Sequence, residues 1–492
     1  MRNRYWAVGI LLLASFMDLL DATIVTVALP SIQKDLGATS AQLEWIIAGY
    51  TLAFAALLIT SGRLGDIFGR KRIFLIGVIG FTLASLVSST AATGDILVAS
   101  RVLQGAFAGV MVPQVLSIIQ AMFAPKERAP IFGLTGAISG LAAVAAPLLG
   151  GVLITGDLWG LGWRSIFLVN VPIGIVLLIG ALVAIPESKS AHPLRLDVPG
   201  VLLAMLGVLL VVYPLVEGRQ LGWPVWIWAL LVAAPVVFAL FVWLQGRKLR
   251  AAKSPLVPTA LFRSRGFSAG VITQATFQAG VGSFALALIV YLQVGLHYTA
   301  LDSGLAILPY SIGAILGTGV SIPLGAKLGK YLVAIGAIVQ AASLVWAIAL
   351  VVSAGDSLQG IQLLVPIGIA GLGLGLEVVP LVDLALAEIP VSDAGSASGV
   401  YGTFQQVGSA LGIAVVGVVF FGIIGADFSP AVMRDALSHA AWVPVAAFTL
   451  SAIASLFLPS ARFTRDALAA KEAAEEAGAS EPSEARQSPA RR

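Results

Sequence analysis

Cysteine is absent from the 492-residue chain, which excludes a disulfide, a thiolate metal site and a cysteine nucleophile. Histidine is scarce: His192, His297 and His439 fall in separate predicted connections, so no histidine cluster is expected to hold a metal. Charge is scarce as well. Lys, Arg, Asp and Glu make up 11% of the residues, where an ordinary soluble protein carries about 25%. So few charges cannot cover a water-facing surface of this size. With 58% apolar residues and a mean hydropathy of +0.97, the chain reads as facing lipid. No G-x-x-x-x-G-K-S/T phosphate loop occurs and no Ser/His/Asp constellation presents itself, so an ATP-driven pump or membrane enzyme is not expected. The net charge of +4 implies no nucleic-acid partner, because in such a chain the position of charge matters more than its sum.

What the sequence has instead is long apolar runs. Fourteen of them, from 6–29 to 441–459, are long enough to cross a bilayer as helices, which takes about 20 residues each. The opening MRNRYW leads straight into the first run without a small-residue cleavage site, so it reads as a retained span rather than a signal peptide. An even number of crossings puts both termini on one side. Of the 29 basic residues, 24 lie in the termini and the connections on that side, against Lys34, Arg164, Arg219 and Arg434 opposite and Arg101 within a span. Lysine and arginine concentrate on the cytoplasmic side, so both termini are expected there. The organisation follows: a six-helix unit over 1–190, two inserted helices over 191–245, a basic cytoplasmic linker over 246–265, a second six-helix unit over 266–460, and a tail over 461–492 that is expected to be disordered.

The halves carry a repeat. SGRLGDIFGRKR (61–72) aligns with SIPLGAKLGKYL (321–332) at an offset of 260, pairing Ser61, Leu64, Gly65, Gly69 and Arg70 with Ser321, Leu324, Gly325, Gly329 and Lys330. Repeated halves with the working site between them are a transporter pattern. The 53 glycines agree, since small residues let membrane helices approach closely. In the first copy, Gly62, Gly65 and Gly69 allow a tight turn, and Asp66 can accept hydrogen bonds from a neighbouring helix N-terminus. Arg70, Lys71 and Arg72 can pair with acids or lipid phosphates, so the cluster could latch two bundles in one state and release them in another.

That stretch closely resembles motif A of the major facilitator superfamily, with Gly62, Leu64, Asp66, Gly69, Arg70 and Lys71 in register. LDATIVTVALP (20–30), LVASRVLQGAFAG (97–109), WRSIFLVNVPIG (163–174) and YTALDSGLAILP (298–309) are similar to segments of its fourteen-helix drug:proton antiporter branch. AVAAPLLGG (143–151) resembles the hinge motif C through Pro147, Gly150 and Gly151, but Ala146 stands where the antiporter pattern has glycine. The resemblance implies an all-α membrane protein with the major facilitator fold: two six-helix bundles plus two extra central helices, fourteen crossings in all. It implies a proton-coupled antiporter in the cell membrane that exports lipophilic or cationic compounds by alternating access. No cofactor, a monomeric state, and small molecules and protons as partners within the bilayer go with it. A dedicated exporter of one natural product, lipid or siderophore stays open, as does a non-transporting sensor or scaffold.

Charges inside the spans need a reason, since one at the bilayer centre costs about 2.5–3.5 kcal/mol on insertion scales. Asp18 and Asp21 lie three apart on one face of the first span. Asp21, within the family-like segment, is the expected proton carrier, with Asp18 sharing the role or lining the cavity. The resemblance suggests that Arg101, helped by Gln104, influences protonation of the nearby acid. Glu377 is expected to meet a cationic substrate in the cavity, with Gln104, Trp45 and Phe16 around it, and Asp383 lies nearer the cytoplasmic end. Phe54, Phe277, Phe284 and Phe404 are further aromatics able to stack on a planar cation or to pack in the core. Asp302 reads as a charge in an N-cap region.

Overall fold

The computed structural model describes residues 2–123, 125–157, 160–189, 196–251, 256–257, 259–389, 394–425 and 427–460. The tail over 461–492 lies outside the described residues, as do 190–195 and most of 252–258 in the two connections that flank the inserted helices. Sixteen helices are described: α1 (Arg2–Leu36), α2 (Ser40–Phe68), α3 (Arg70–Ser89), α4 (Gly94–Met122), α5 (Pro125–Thr155), α6 (Ser165–Leu168), α7 (Asn170–Ala184), α8 (Val198–Glu217), α9 (Val225–Arg250), α10 (Arg265–Val290), α11 (Ala300–Leu328), α12 (Lys330–Ala354), α13 (Leu364–Leu386), α14 (Ala394–Ile424), α15 (Pro430–Ala440) and α16 (Trp442–Ser455). Among the described residues there is no strand. Thirteen segments are long and apolar enough to cross a membrane, α6–α7 and α15–α16 each counting as one. The 31-residue α5 makes the fourteenth, with Val144–Thr155 its described apolar part.

The repeat is built into the packing. In the first half α2 packs on α4, α3 on α4, α1 on α5, and α7 on both α1 and α3. In the second, α11 packs on α13, α12 on α13, α10 on α14, and α16 on both α10 and α12. Substituting α1–α5 and α7 by α10–α14 and α16 therefore maps one bundle onto the other. The bundles meet through α2 against α14 and α5 against α11, which the same substitution exchanges.

Local chemistry explains why the backbone repeats at an offset of 260. Helix α2 opens on a capping box in which Thr39 and Gln42 exchange hydrogen bonds, and α11 opens on the same device with Thr299 and Asp302, the role expected for Asp302. Both helices end at a glycine of positive φ, Gly69 (109°) and Gly329 (53°), whose N–H returns 2.9 Å to the carbonyl of Gly65 or Gly325. A side chain at either turn would be strained, and that fixes the junction to the next helix in each half. Interhelical contacts repeat too. A Cβ on Gly105 of α4 would fall 2.1 Å from the Tyr50 carbonyl of α2, and one on Gly371 of α13 would fall 1.9 Å from the Tyr310 carbonyl of α11. Only glycine permits such backbone-to-backbone approach, and in lipid that packing replaces the hydrophobic drive of water.

The inserted pair sits outside this symmetry. Helices α8 and α9 pack on each other, and α8 alone also touches α2 and α14, filling the seam between bundles. Just beyond it, Glu217 accepts a hydrogen bond from the Trp45 indole of α2 (2.9 Å), and Arg219 donates to the Phe421 carbonyl of α14 (2.8 Å). The start of α8 is held by Asp197, whose carboxylate accepts from the backbone N–H of Gly200 and Leu256 (2.8 Å each), from Gln245 (3.0 Å) and from Lys248. Burial would raise this carboxyl, but these donors together hold it below the ordinary carboxylate range.

The last crossing differs from the sequence reading. It begins at α15, about three turns before 441, because Met433, Ala436, Leu437 and Ala440 form a buried stripe while Asp435 and His439 face outward. The charges on one face mask the apolar stripe, so His439 lies in a helix rather than a connection.

Candidate functional site

In the first bundle the polar residues of four crossing segments converge on Asp21. It is fully buried, and each carboxylate oxygen is engaged. Oδ2 accepts from Arg101 Nη1 of α4 at 2.6 Å, while Oδ1 accepts from Gln104 Nε2 (2.8 Å) and from Asn170 Nδ2 of α7 (2.6 Å). Gln104 also donates to Ser85 Oγ of α3 (2.8 Å) and accepts from Arg101 Nη1 (2.6 Å). Arg101 Nε reaches the Ile46 carbonyl of α2 at 3.1 Å. The guanidinium lies over the Tyr50 ring, 4.2 Å from its centroid, with Phe167 on another side at 5.8 Å. A charge as costly as arginine is retained here because Nε and Nη1 make three hydrogen bonds and the aromatic faces of Tyr50 and Phe167 lie against the guanidinium.

One turn before Asp21, Asp18 meets the hydroxyl of the same tyrosine. It is buried, and Tyr50 Oη donates to its Oδ1 at 2.7 Å. Asp18, Tyr50, Arg101 and Asp21 are therefore contiguous, and the tyrosine touches both acids' surroundings. Tyr50, Ser85 and Asn170 were not among the residues singled out from sequence. The signal for Asn170 was present, since it is a lone amide between the apolar runs SIFLV and VPIG.

The residues expected along a central cavity are dispersed. Gln104 faces Asp21 inside the first bundle. Glu377 is fully buried inside the second, where it accepts from Gln340 Nε2 of α12 (2.8 Å) and pairs with Ser451 Oγ of α16 (2.5 Å). Phe16 is half-buried against the core. Trp45 lines a lateral cavity of ≈160 Å³ between α2, α4, α8 and α14, together with Leu52, Met205, Val208, Thr403 and Val407. That cavity has almost no polar wall and lies where α8 closes the seam. It suits an uncharged apolar group.

The motif A residues form a compact knot at the end of the first bundle near the termini. Arg70 bridges Asp66 (2.9 Å) and the Ser117 carbonyl of α4 (3.2 Å). The backbone N–H of Arg70 donates to the Ser188 carbonyl, and that of Lys71 to Glu187, which follows α7. A Cβ on Gly65 would fall 2.1 Å from the Gln114 amide oxygen. In this conformation Asp66 thus bonds within its own bundle. The motif C residues lie at the opposite end, on the bundle interface. A Cβ on Gly151 would fall 2.6 Å from the Leu301 Cα, one on Gly150 2.8 Å from Ile24, and one on Gly304 2.4 Å from the Pro147 carbonyl. Glycine there lets α5 and α11 close the end remote from the termini, where Gln293 also donates to the Val27 carbonyl (2.7 Å).

Among the described residues no group of three or more His, Asp or Glu could hold a metal. Comparison with known proteins places this geometry. A family model described as Major Facilitator Superfamily matches residues 11–413. A "Probable actinorhodin transporter" of Streptomyces coelicolor is 40% identical over 87% of this chain and 75% of its own. "Puromycin resistance protein pur8" of Streptomyces alboniger is 34% identical, covering 90% and 88%. "Tetracenomycin C resistance and export protein" of Streptomyces glaucescens is 33% identical, covering 87% and 78%. Among solved structures, a D-xylose-proton symporter superposes with a TM-score of 0.64 at 14% identity, covering 93% of this chain and 99% of that one. At that identity the likeness concerns the fold.

Proposed function

This chain belongs to the Major Facilitator Superfamily, and on that premise we propose that it is a proton-driven antiporter exporting lipophilic drugs or antibiotics across the cell membrane. It is a multi-pass transporter and not an enzyme. The observation that carries the proton coupling is a charge count. One guanidinium, Arg101, serves two buried carboxyls, Asp21 and Asp18. The site is neutral only when one proton is shared by the pair, and a neutral site is what a membrane interior favours. Asp21 holds the guanidinium and two amides, whereas Asp18 has a tyrosine hydroxyl. In this conformation the proton therefore belongs on Asp18, and Asp21 acts by keeping Arg101 in place. Releasing the proton leaves a net negative charge that water or a cationic cargo must offset, which makes proton and cargo alternate.

The basic residues support cytoplasmic termini, so that cargo leaves outward as protons enter. The apolar wall of the lateral cavity supports a cargo soluble in lipid. The test is transport of ethidium, puromycin and tetracenomycin C in proteoliposomes under an imposed pH gradient. At least one should move with the gradient, and its movement should fall to background with an uncoupler, with Asp18→Asn and with Asp21→Asn. Transport undiminished by all three would overturn the reading. A narrower variant is favoured by relatives that are each named for one antibiotic: a dedicated exporter would give a single hit in a wide screen.

A further inference from the structure

The repeat makes one residue of the second bundle conspicuous. In the first bundle α3 and α4 touch at Gly77, where a Cβ would fall 2.7 Å from the Cβ of Met111. In the second, α12 and α13 touch at Gly336, where a Cβ would fall 3.0 Å from the Cβ of Glu377. Glu377 lies 266 residues after Met111, the same offset that relates Gly371 to Gly105 and Gly375 to Gly109 on these helices. The scaffold thus accepts a thioether at this position in one half and holds a carboxyl in the other. Nothing about packing requires the acid, and it is fully buried.

Nor does a cation among the described residues bond to it. The groups facing Glu377 are Gln340 of α12, Ser451 of α16, the Thr273 carbonyl of α10, Tyr310 of α11 and Tyr401 of α14, with Asp383 further along α13. Among the described residues no Lys, Arg or His bonds to it. An ionised carboxylate there would be a buried charge without a partner, a far costlier arrangement than a neutral acid. The hydrogen bonds fit the neutral form. Glu377 Oε1 and Ser451 Oγ are 2.5 Å apart, and Ser451 Oγ is 3.4 Å from the Thr273 carbonyl, which can only accept. With the proton on Glu377, the carboxyl donates to Ser451 and the serine donates onward, while Oε2 accepts from Gln340. The hydroxyl of Tyr310, buried and without a hydrogen-bond partner among the described residues, is the α11 counterpart of Tyr50, whose hydroxyl bonds Asp18.

We infer that Glu377 is a second proton-binding site, housed in the second bundle, which takes up a proton as a carboxylic acid and releases it to water as a carboxylate. It rests on the antiport reading for its use, since a second titrating acid would add a proton to each cycle, but not for its test.

The test needs no cargo. Infrared spectra of the full-length protein in liposomes, recorded at neutral and alkaline pH in H₂O and D₂O, would be compared with those of Glu377→Gln and Glu377→Met. The methionine variant installs the residue that the first bundle already packs at this position, and the glutamine variant keeps the shape of the hydrogen-bonded group. The wild type should show a carboxylic-acid C=O band at neutral pH that shifts in D₂O, disappears at alkaline pH, and is missing from both variants. Wild-type and variant spectra identical in the acid region, or a band that survives alkaline pH and never exchanges, would overturn the inference. Because spectra are read without transport, an inactive dye assay would count against the export reading alone.

Discussion

Asp21→Asn is the perturbation for which the structure gives the clearest arithmetic. The asparagine oxygen can still accept from Gln104 and Asn170, which share Oδ1 in the native chain. The new amide nitrogen, however, faces Arg101 Nη1, donor against donor, where a carboxylate oxygen had stood at 2.6 Å. The guanidinium is 1% exposed, so water cannot replace the lost partner. Removing one member of a buried ion pair costs about 3–5 kcal/mol, more than the 1.5–3 kcal/mol of a charged hydrogen bond alone. Arg101→Met should also be costly, though less so, since an unpaired Asp21 can take up a proton. In the double variant both charges of the pair are gone, so its penalty should fall short of the summed single penalties by about 2–3 kcal/mol. Unfolding of the purified protein in detergent, followed by tryptophan fluorescence, supplies the cycle. Additive penalties, or an Asp21→Asn protein as stable as the native one, would refute the reasoning that this pair is locked out of water.

Two further outcomes follow from other parts of the molecule. Gly304→Leu places a side chain where a Cβ already comes within 2.4 Å of the Pro147 carbonyl, so α5 and α11 must part at the end remote from the termini; with no native cysteine to interfere, a Thr155→Cys reporter should react faster with a membrane-impermeant maleimide in that background, and an equal rate would count against close packing there. Asp197 is held below the ordinary carboxylate range, so its anchoring of α8 is fully present above about pH 4 and is lost as the pH falls through its lower folded value; exchange protection of the Gly200 and Leu256 N–H groups should drop on acidification and be low at every pH in Asp197→Asn.

The fourteen crossings were legible because hydropathy needs only length, and the 260-residue repeat because the glycines of the turn, Gly65 and Gly69 with Gly325 and Gly329, recur in residue type. The acid pair in α1 was legible for the same kind of reason: two carboxylates in an apolar run demand partners. Which partners they find was not legible. Asn170 lies 149 positions from Asp21 in the chain, and it is brought there by packing of α7 on α1 that no local pattern announces. The placement of Glu377 was hidden differently. Apart from Glu377 and Asp383, residues 371–384 are apolar on every side, so periodicity could not say whether position 377 faces a cavity or the neighbouring helices α12 and α16.

The two bundles show where repetition stops. Backbone demands are met by the same residue types in both halves: Thr39 and Thr299 cap, Gly69 and Gly329 turn at positive φ, and Gly105 and Gly371 admit a carbonyl. These solutions cannot drift independently, because each bundle must present the same faces for α2 to meet α14 and α5 to meet α11. Buried charge is under no such constraint, and there the halves part. At the first site Arg101 stands between Asp21 and Asp18; at the second Glu377 has no cation bonded to it among the described residues. In each half the acid has a tyrosine near it at equivalent positions, Tyr50 and Tyr310, so the difference lies in Arg101. Either site passes from neutral to one net negative charge when it loses its proton, but in the first the Arg101 guanidinium stays beside the acids, whereas among the described residues no cation bonds to Glu377.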